Sequence, residues 1–194
     1  MSPWTGKAVL LMGLVVFVAI RAPHDKRSRE TKITESHKGA LETALMALMG
    51  IGCFLLPLAF ILSPLLSFAD YPLHLITLLA GMACLGFGLW LFHRAHTDLG
   101  TNWSVSLELR ENHQLVTSGI YESIRHPMYI AIFIYALAQS LLLSNWIAGP
   151  ACFAAFAVMF TFRLRAEERM LSEKFGQQYK DYMARTKRLI PGIW

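Results

Sequence analysis

Charge is what this 194-residue chain has least of: Asp, Glu, Lys and Arg make up 16% of it, against 55% hydrophobic residues and a mean hydropathy of +0.42. So little charge excludes an ordinary soluble domain with a solvated surface and points to an integral membrane protein. The net charge of +5 forms no basic stripe on a polar face, so nucleic acid is excluded as a partner. The Lys and Arg gather between apolar runs, which suits membrane topology and contact with anionic lipid. Cysteine is scarce too. Cys53, Cys84 and Cys152 each fall in a different apolar run, without CxxC spacing or a nearby His, so the sequence assigns them to packing and predicts no metal site. No strand-like alternation is long enough for a β-barrel. No glycine-rich turn of the dinucleotide-binding kind follows a strand.

What is present is a series of long apolar runs. Residues 4–20 (WTGKAVLLMGLVVFVAI) hold one charge, Lys7, and are long enough for a helix across a hydrocarbon core of about 30 Å. The basic RAPHDKRSR that follows is unlike a signal cleavage site, so the run is expected to be a retained first span. The second run, 40–68, contains Pro57 and Pro64, predicting a kink near Pro57 and a turn around SPLLSFADYP. The third, 74–92, carries Gly81, Gly86 and Gly88, small residues that let a membrane helix approach its neighbour. Two further runs, beginning MYIAIFIYALAQSLLL and NWIAGPACFAAFAVMFTF, are separated by Ser144 and Asn145 alone and predict an antiparallel helical hairpin. The expected fold is an all-α membrane domain of five transmembrane helices spanning 1–194. Six Lys and Arg lie in 21–38, three in 94–125 and eight from 163 onward. With the N-terminus outside, all three groups share one side, which the positive-inside rule makes the cytoplasm.

Between the third and fourth runs the chain turns polar, with LVTSGIYESIRHPMY at 115–129. Pro127 disfavours helix at His126 and favours its own place in the first turn of the next helix, which holds Arg125 and His126 at a helix start. Beyond the fifth run, RLRAEERMLSEKFGQQYKDYMART should stay helical to about Thr186, with Gly176 a possible break and Pro191 a stop. Arg163 and Glu167, and likewise Arg165 and Glu168, are spaced to share a helix face. Ionisable groups at a membrane boundary are costly unless they are paired or line a polar cavity.

HQLVTSGIYESIRHPMY, two spans, and then the E-E-x-x-L-x-x-x-F-G-x-x-Y-x-x-Y pattern of the tail together resemble the isoprenylcysteine carboxyl methyltransferase family and its prokaryotic relatives over about 98–186, with LGTNWS just upstream also in keeping. The resemblance implies an S-adenosylmethionine-dependent membrane methyltransferase. Its cytoplasmic cofactor pocket would be built by 94–126 and the helical tail, so that 94–194 carries the activity. A lipophilic substrate, a prenylated cysteine or protein C-terminus, would enter from the bilayer and meet membrane lipids. It implies cofactor contacts at Leu115, Val116, Thr117, Gly119, Tyr121 and Glu168, with His126, Pro127 and Tyr129 closing the pocket and His113 and Gln114 at its rim. Arg163, oriented by Glu167, would hold the substrate carboxylate. A phospholipid amine methyltransferase, an NADPH-dependent membrane lipid reductase and a non-catalytic scaffold or transporter are the alternatives.

Overall fold

The computed structural model describes residues 2–30, 32–36, 39–110, 113–190 and 192. The first span begins with Pro3 in the first helical turn and runs far past its apolar part, as α1 (Pro3–Glu30). The basic flank continues the helix, with Arg29 pairing Asp25 at 2.9 Å one turn back. The second run is α2 (Ala40–Gly50), a π-helical turn (Ile51–Leu55) and α3 (Leu56–Leu62). The predicted irregularity is therefore placed before Pro57, where a widened turn absorbs the missing backbone donor. Helix α4 (Leu75–Leu99) follows, then α5 (Pro127–Leu142), α6 (Ala151–Phe175) and α7 (Gln177–Arg185). Gly176, at φ +52°, ends α6 where the sequence expects a break.

Two expectations are corrected. The chain is mostly helical rather than all-α. β1 (Ile33–Ser36) and β2 (Glu108–Arg110) pair antiparallel, with Ile33 opposite Arg110 and Ser36 opposite Glu108. The hairpin turn is also longer than two residues. Asn145 is fully buried and clamps the turn: its Nδ2 donates to Leu66 O and Asp70 Oδ1, each at 2.7 Å. Its Oδ1 accepts from the Ile147 and Ala148 amides, which delays α6 until Ala151.

Three segments, Pro3–Glu30, Ala40–Leu62 and Leu75–Asn102, are long and apolar enough to cross a membrane. Only 22%, 33% and 33% of their apolar windows are buried, so most of that surface faces outward, as lipid solvation requires. Their inner faces meet at Phe17, which stacks on Phe92 at 4.2 Å and contacts the Tyr135 ring at 5.0 Å, joining α1, α4 and α5. Cys53 and Cys152 form a disulfide tying the π-helical turn to α6, so for these two the reading as free packing thiols is overturned. Their 99-residue separation hid the pairing, which only the packing of α2 on α6 brings about. Cys84 remains free.

Of the three glycines expected to serve close packing, two do. A methyl group at Gly81 would come within 2.8 and 2.9 Å of Leu142 side-chain carbons, and one at Gly88 within 3.2 Å of the Tyr135 amide. Gly86 has nothing within 4 Å and faces away from α5. Gly81→Val should therefore cost about 1–3 kcal/mol through overpacking and lower the melting temperature in detergent. Gly86→Val should leave it within experimental scatter.

Candidate active site

The polar insertion and the tail fold onto each other as a paired unit. The Arg125 amide donates to Lys187 O at 2.8 Å and the His126 amide to Arg188 O at 3.0 Å, extending a parallel bridge between Ile124 and Lys187. Tyr182 Oη donates to Tyr121 O at 2.6 Å. Ahead of this, Asp98 at the end of α4 accepts from the Ile120 amide at 2.9 Å. Gly119 sits over that carboxylate at φ +64°, where a side chain would be strained and would strike Asp98. Gly119 thus shapes the turn.

Glu168 is the hub of this unit. Arg125 donates to its Oε1 through Nη2 at 3.1 Å and Nε at 3.3 Å. Arg188 donates to Oε2 through Nη2 at 2.8 Å. His126 Nε2 lies 3.4 Å from Oε1. Arg125 also donates through Nη1 to the Thr186 and Met183 carbonyls at the end of α7. Burial would push the Glu168 carboxyl up, but the hydrogen bonds from His126 and Arg188, reinforced by Arg125, outweigh it and hold the group at about 2.

Beside this hub is a cavity of about 140 Å³. His113, Gln114, Leu115, Val116, Tyr121, His126, Tyr129, Arg163 and Glu167 line it, nine of the thirteen residues singled out from the sequence. Thr117, Gly119, Pro127 and Glu168 do not line it. Pro127 serves as the first residue of α5, and the Glu168 oxygens are already engaged. Tyr129 donates to Glu167 Oε2, and His126 Nδ1 is 3.7 Å from Glu167 Oε1. Burial, followed by the charge of Glu167, pushes the Tyr121 phenol well up and keeps it protonated. Tyr179, 1% exposed, lines the same cavity, and its hydroxyl lacks a hydrogen-bond partner.

Arg163 does not pair with Glu167. Its guanidinium lies 3.3 Å from Glu42 on α2, donates through Nη2 to Val105 O at 2.9 Å, and leaves Nε without a partner. Glu167 turns instead toward Tyr129 and His126. Arg163 also belongs to a second, larger cavity of about 470 Å³, enclosed mainly by apolar residues of α1, α2, the π-helical turn, α5 and α6, among them Met46, Met49, Phe54, Ile132 and Met159. Trp103, Ser104, Met128, Tyr129 and Arg163 line both cavities. Sequence reasoning missed Glu42, Trp103 and Arg21, which lines the larger cavity. Glu42 had a signal: an acid just inside an apolar run.

The Glu168 carboxyl, held below its ordinary value of 4.5, contributes stability that is complete above 4.5 and is lost as the pH falls toward 2. Acidification through that window should lower the melting temperature, and Glu168→Gln should flatten the dependence while exposing 177–190 to hydrogen exchange at neutral pH. An unchanged profile would show that Glu168 does not anchor the tail.

Residues 79–173 match the profile of the isoprenylcysteine carboxyl methyltransferase family. A protein-S-isoprenylcysteine O-methyltransferase of Dictyostelium discoideum is 36% identical over 115 residues, 58% of this chain and 48% of its own length. The Schizosaccharomyces pombe enzyme of the same name is 32% identical over 133 residues, 66% of this chain and 56% of its own. The chain thus spans about half the length of these relatives. A solved structure of the eukaryotic intramembrane Ras methyltransferase is similar with a TM-score of 0.54 and 28% identity, covering 82% of this chain and 55% of that one. The matched stretch contains the polar insertion and the Arg163, Glu167 and Glu168 helix, so it is in these residues that the chain is similar to the isoprenylcysteine carboxyl methyltransferase family.

Proposed function

We propose that the chain is a membrane methyltransferase that takes S-adenosylmethionine in the smaller cavity and esterifies the carboxylate of an isoprenylcysteine-type acceptor held in the larger one. The observation that carries this reading is the wall shared by the two cavities, because methyl transfer needs donor and acceptor to meet at a common, dry boundary. The polar cavity suits the donor. Its lining combines the phenols Tyr121, Tyr179 and Tyr182 with the carboxylates Glu108 and Glu167. The Tyr179 hydroxyl offers a ligand an unmet hydrogen bond.

S-adenosylmethionine, when bound, supplies a methyl group on a cationic sulfur. In the proposed transfer the acceptor carboxylate forms the new carbon–oxygen bond as the carbon–sulfur bond breaks. The acceptor is already ionised, so no general base is required. The protein's work is to hold that carboxylate in line and exclude water. Arg163 is placed to do so from the shared wall, with Glu42 and the Val105 carbonyl fixing one side of its planar fork and Nε left for the acceptor. Tyr129 and His126 steady Glu167, which faces the donor cavity in the role first expected of Glu168. The backbone of 113–116 forms the other wall. Thr117 and Gly119 act through the turn that carries it.

The proposed topology has five spans, α5 and the apolar part of α6 adding to the three long segments, with the N-terminus outside. The basic segments, the polar insertion and the tail then lie together in the cytoplasm. An amine acceptor would meet a guanidinium where it needs an acid or an aromatic face, so the carboxylate reading is favoured over phospholipid amine methylation.

Calorimetry on the detergent-purified chain should show saturable binding of S-adenosylhomocysteine and none of NADPH; the reverse result would overturn the methyltransferase reading. Arg163→Lys keeps the charge but loses the planar fork, and it should lower kcat/KM for a prenylcysteine acid by at least about 10-fold with S-adenosylhomocysteine affinity nearly unchanged. Equal loss of both would remove Arg163 from the acceptor side.

A further inference from the structure

The larger cavity holds a guanidinium that one nearby acid attracts but that is paired to none among the described residues. Arg21, on the cytoplasm-facing part of α1 in the proposed topology, lines that cavity, half-buried, with its guanidinium 5.4 Å from the centre of the Trp103 ring. Trp103 belongs to the wall where the two cavities meet. The nearest acid along the helix is Asp25, one turn on and also at the cavity, but its carboxylate is engaged by Arg29 at 2.9 Å through Nη2 and 3.1 Å through Nε. No ion pair to Arg21 forms among the described residues. Arg163 is balanced by Glu42 at 3.3 Å. Arg21 feels the attraction of Asp25 and, to a lesser degree, the repulsion of Arg163. A guanidinium with no ion-pair partner of its own against an apolar cavity is costly in the empty protein and gains when an anion arrives.

We infer that Arg21 is a second cation of the acceptor site, which together with Arg163 closes on the acceptor carboxylate across the face of Trp103. The inference rests on the carboxylate-acceptor reading and adds to it a residue outside 79–173, on a helix that carries no family motif. Trp103 holds the Arg21 guanidinium at the shared wall by cation–π contact, and a single carboxylate lying between two guanidiniums offsets their repulsion. The division of labour follows. Arg163, fixed by Glu42 and Val105, sets direction, whereas Arg21, held only by an aromatic face, supplies attraction.

The test uses two probes with the full chain in detergent and S-adenosylhomocysteine present: an N-acyl S-prenylcysteine acid and its neutral carboxamide. Wild-type protein should bind the acid at least about 10-fold more tightly than the carboxamide. Arg21→Gln should weaken the acid by about that factor and leave the carboxamide unchanged, and Arg21→Lys should restore part of the preference. Arg21→Met, which retains the aliphatic packing on Trp103, serves as a second neutral variant should the glutamine variant fold poorly. An acid-to-carboxamide ratio unchanged by either neutral variant, or an equal loss of both probes, would overturn the inference by showing that Arg21 only packs against Trp103 or reaches a lipid headgroup. Failure of wild-type protein to distinguish the probes would instead defeat the carboxylate-acceptor reading, and Arg21 with it.

Discussion

The buried carboxylate of Glu168 is the point on which the arrangement of the site depends. A charge buried in the protein is costly unless it is paired and hydrogen-bonded. Glu168 answers that cost by gathering Arg125 and His126 from the polar insertion and Arg188 from beyond α7. The same set of contacts closes the wall of the smaller cavity, because Arg125 and His126 line it while holding Glu168. Its neighbour Glu167, one position along the helix, is turned toward the cavity and steadied by Tyr129 and His126. Two consecutive acids thus divide between holding the fold and facing the cavity.

The two cavities differ in polarity. The smaller one brings the carboxylates of Glu108 and Glu167 together with phenols, Arg125, Arg163, His113 and His126, while most of the larger one's lining is apolar, with Arg21, Arg163, His96 and Asp25 its ionisable groups other than phenols. The larger cavity is walled by α1 and α2 as well as by the matched stretch, so helices without family motifs shape it. The disulfide from Cys53 to Cys152 ties α2 and its continuation to α6 along this wall.

Much of the site was legible in the sequence because its signals are local. The His126–Pro127 junction marks a helix start on physical grounds alone, and the insertion and tail motifs, in order and around two apolar runs, mark one pocket made by both. Interactions between distant elements were not legible in this way. Nothing in the spacing of Cys53 and Cys152 reports their pairing. The four-residue interval from Arg163 to Glu167 permits a helix-face ion pair, but tertiary packing brings Glu42 to Arg163 and Tyr129 to Glu167, and those contacts win. The β1–β2 ribbon is too short for a period, and the length of the hairpin turn depends on what the buried Asn145 amide finds in the loop at 66–70.

The central claim is that donor and acceptor spaces meet at the wall formed by Trp103, Ser104, Met128, Tyr129 and Arg163. Photolabelling tests it most directly, using a prenylcysteine acid that carries a diazirine at the far end of its prenyl chain, with S-adenosylhomocysteine bound and the labelled peptides identified by mass spectrometry. The account predicts labelling concentrated on the deep lining of the larger cavity, at Met46, Met49, Phe54, Ile132 and Met159, and competed by unlabelled acid. Labelling confined to outward-facing residues such as Leu62, Ile76 and Phe68, or indifferent to competitor, would contradict it.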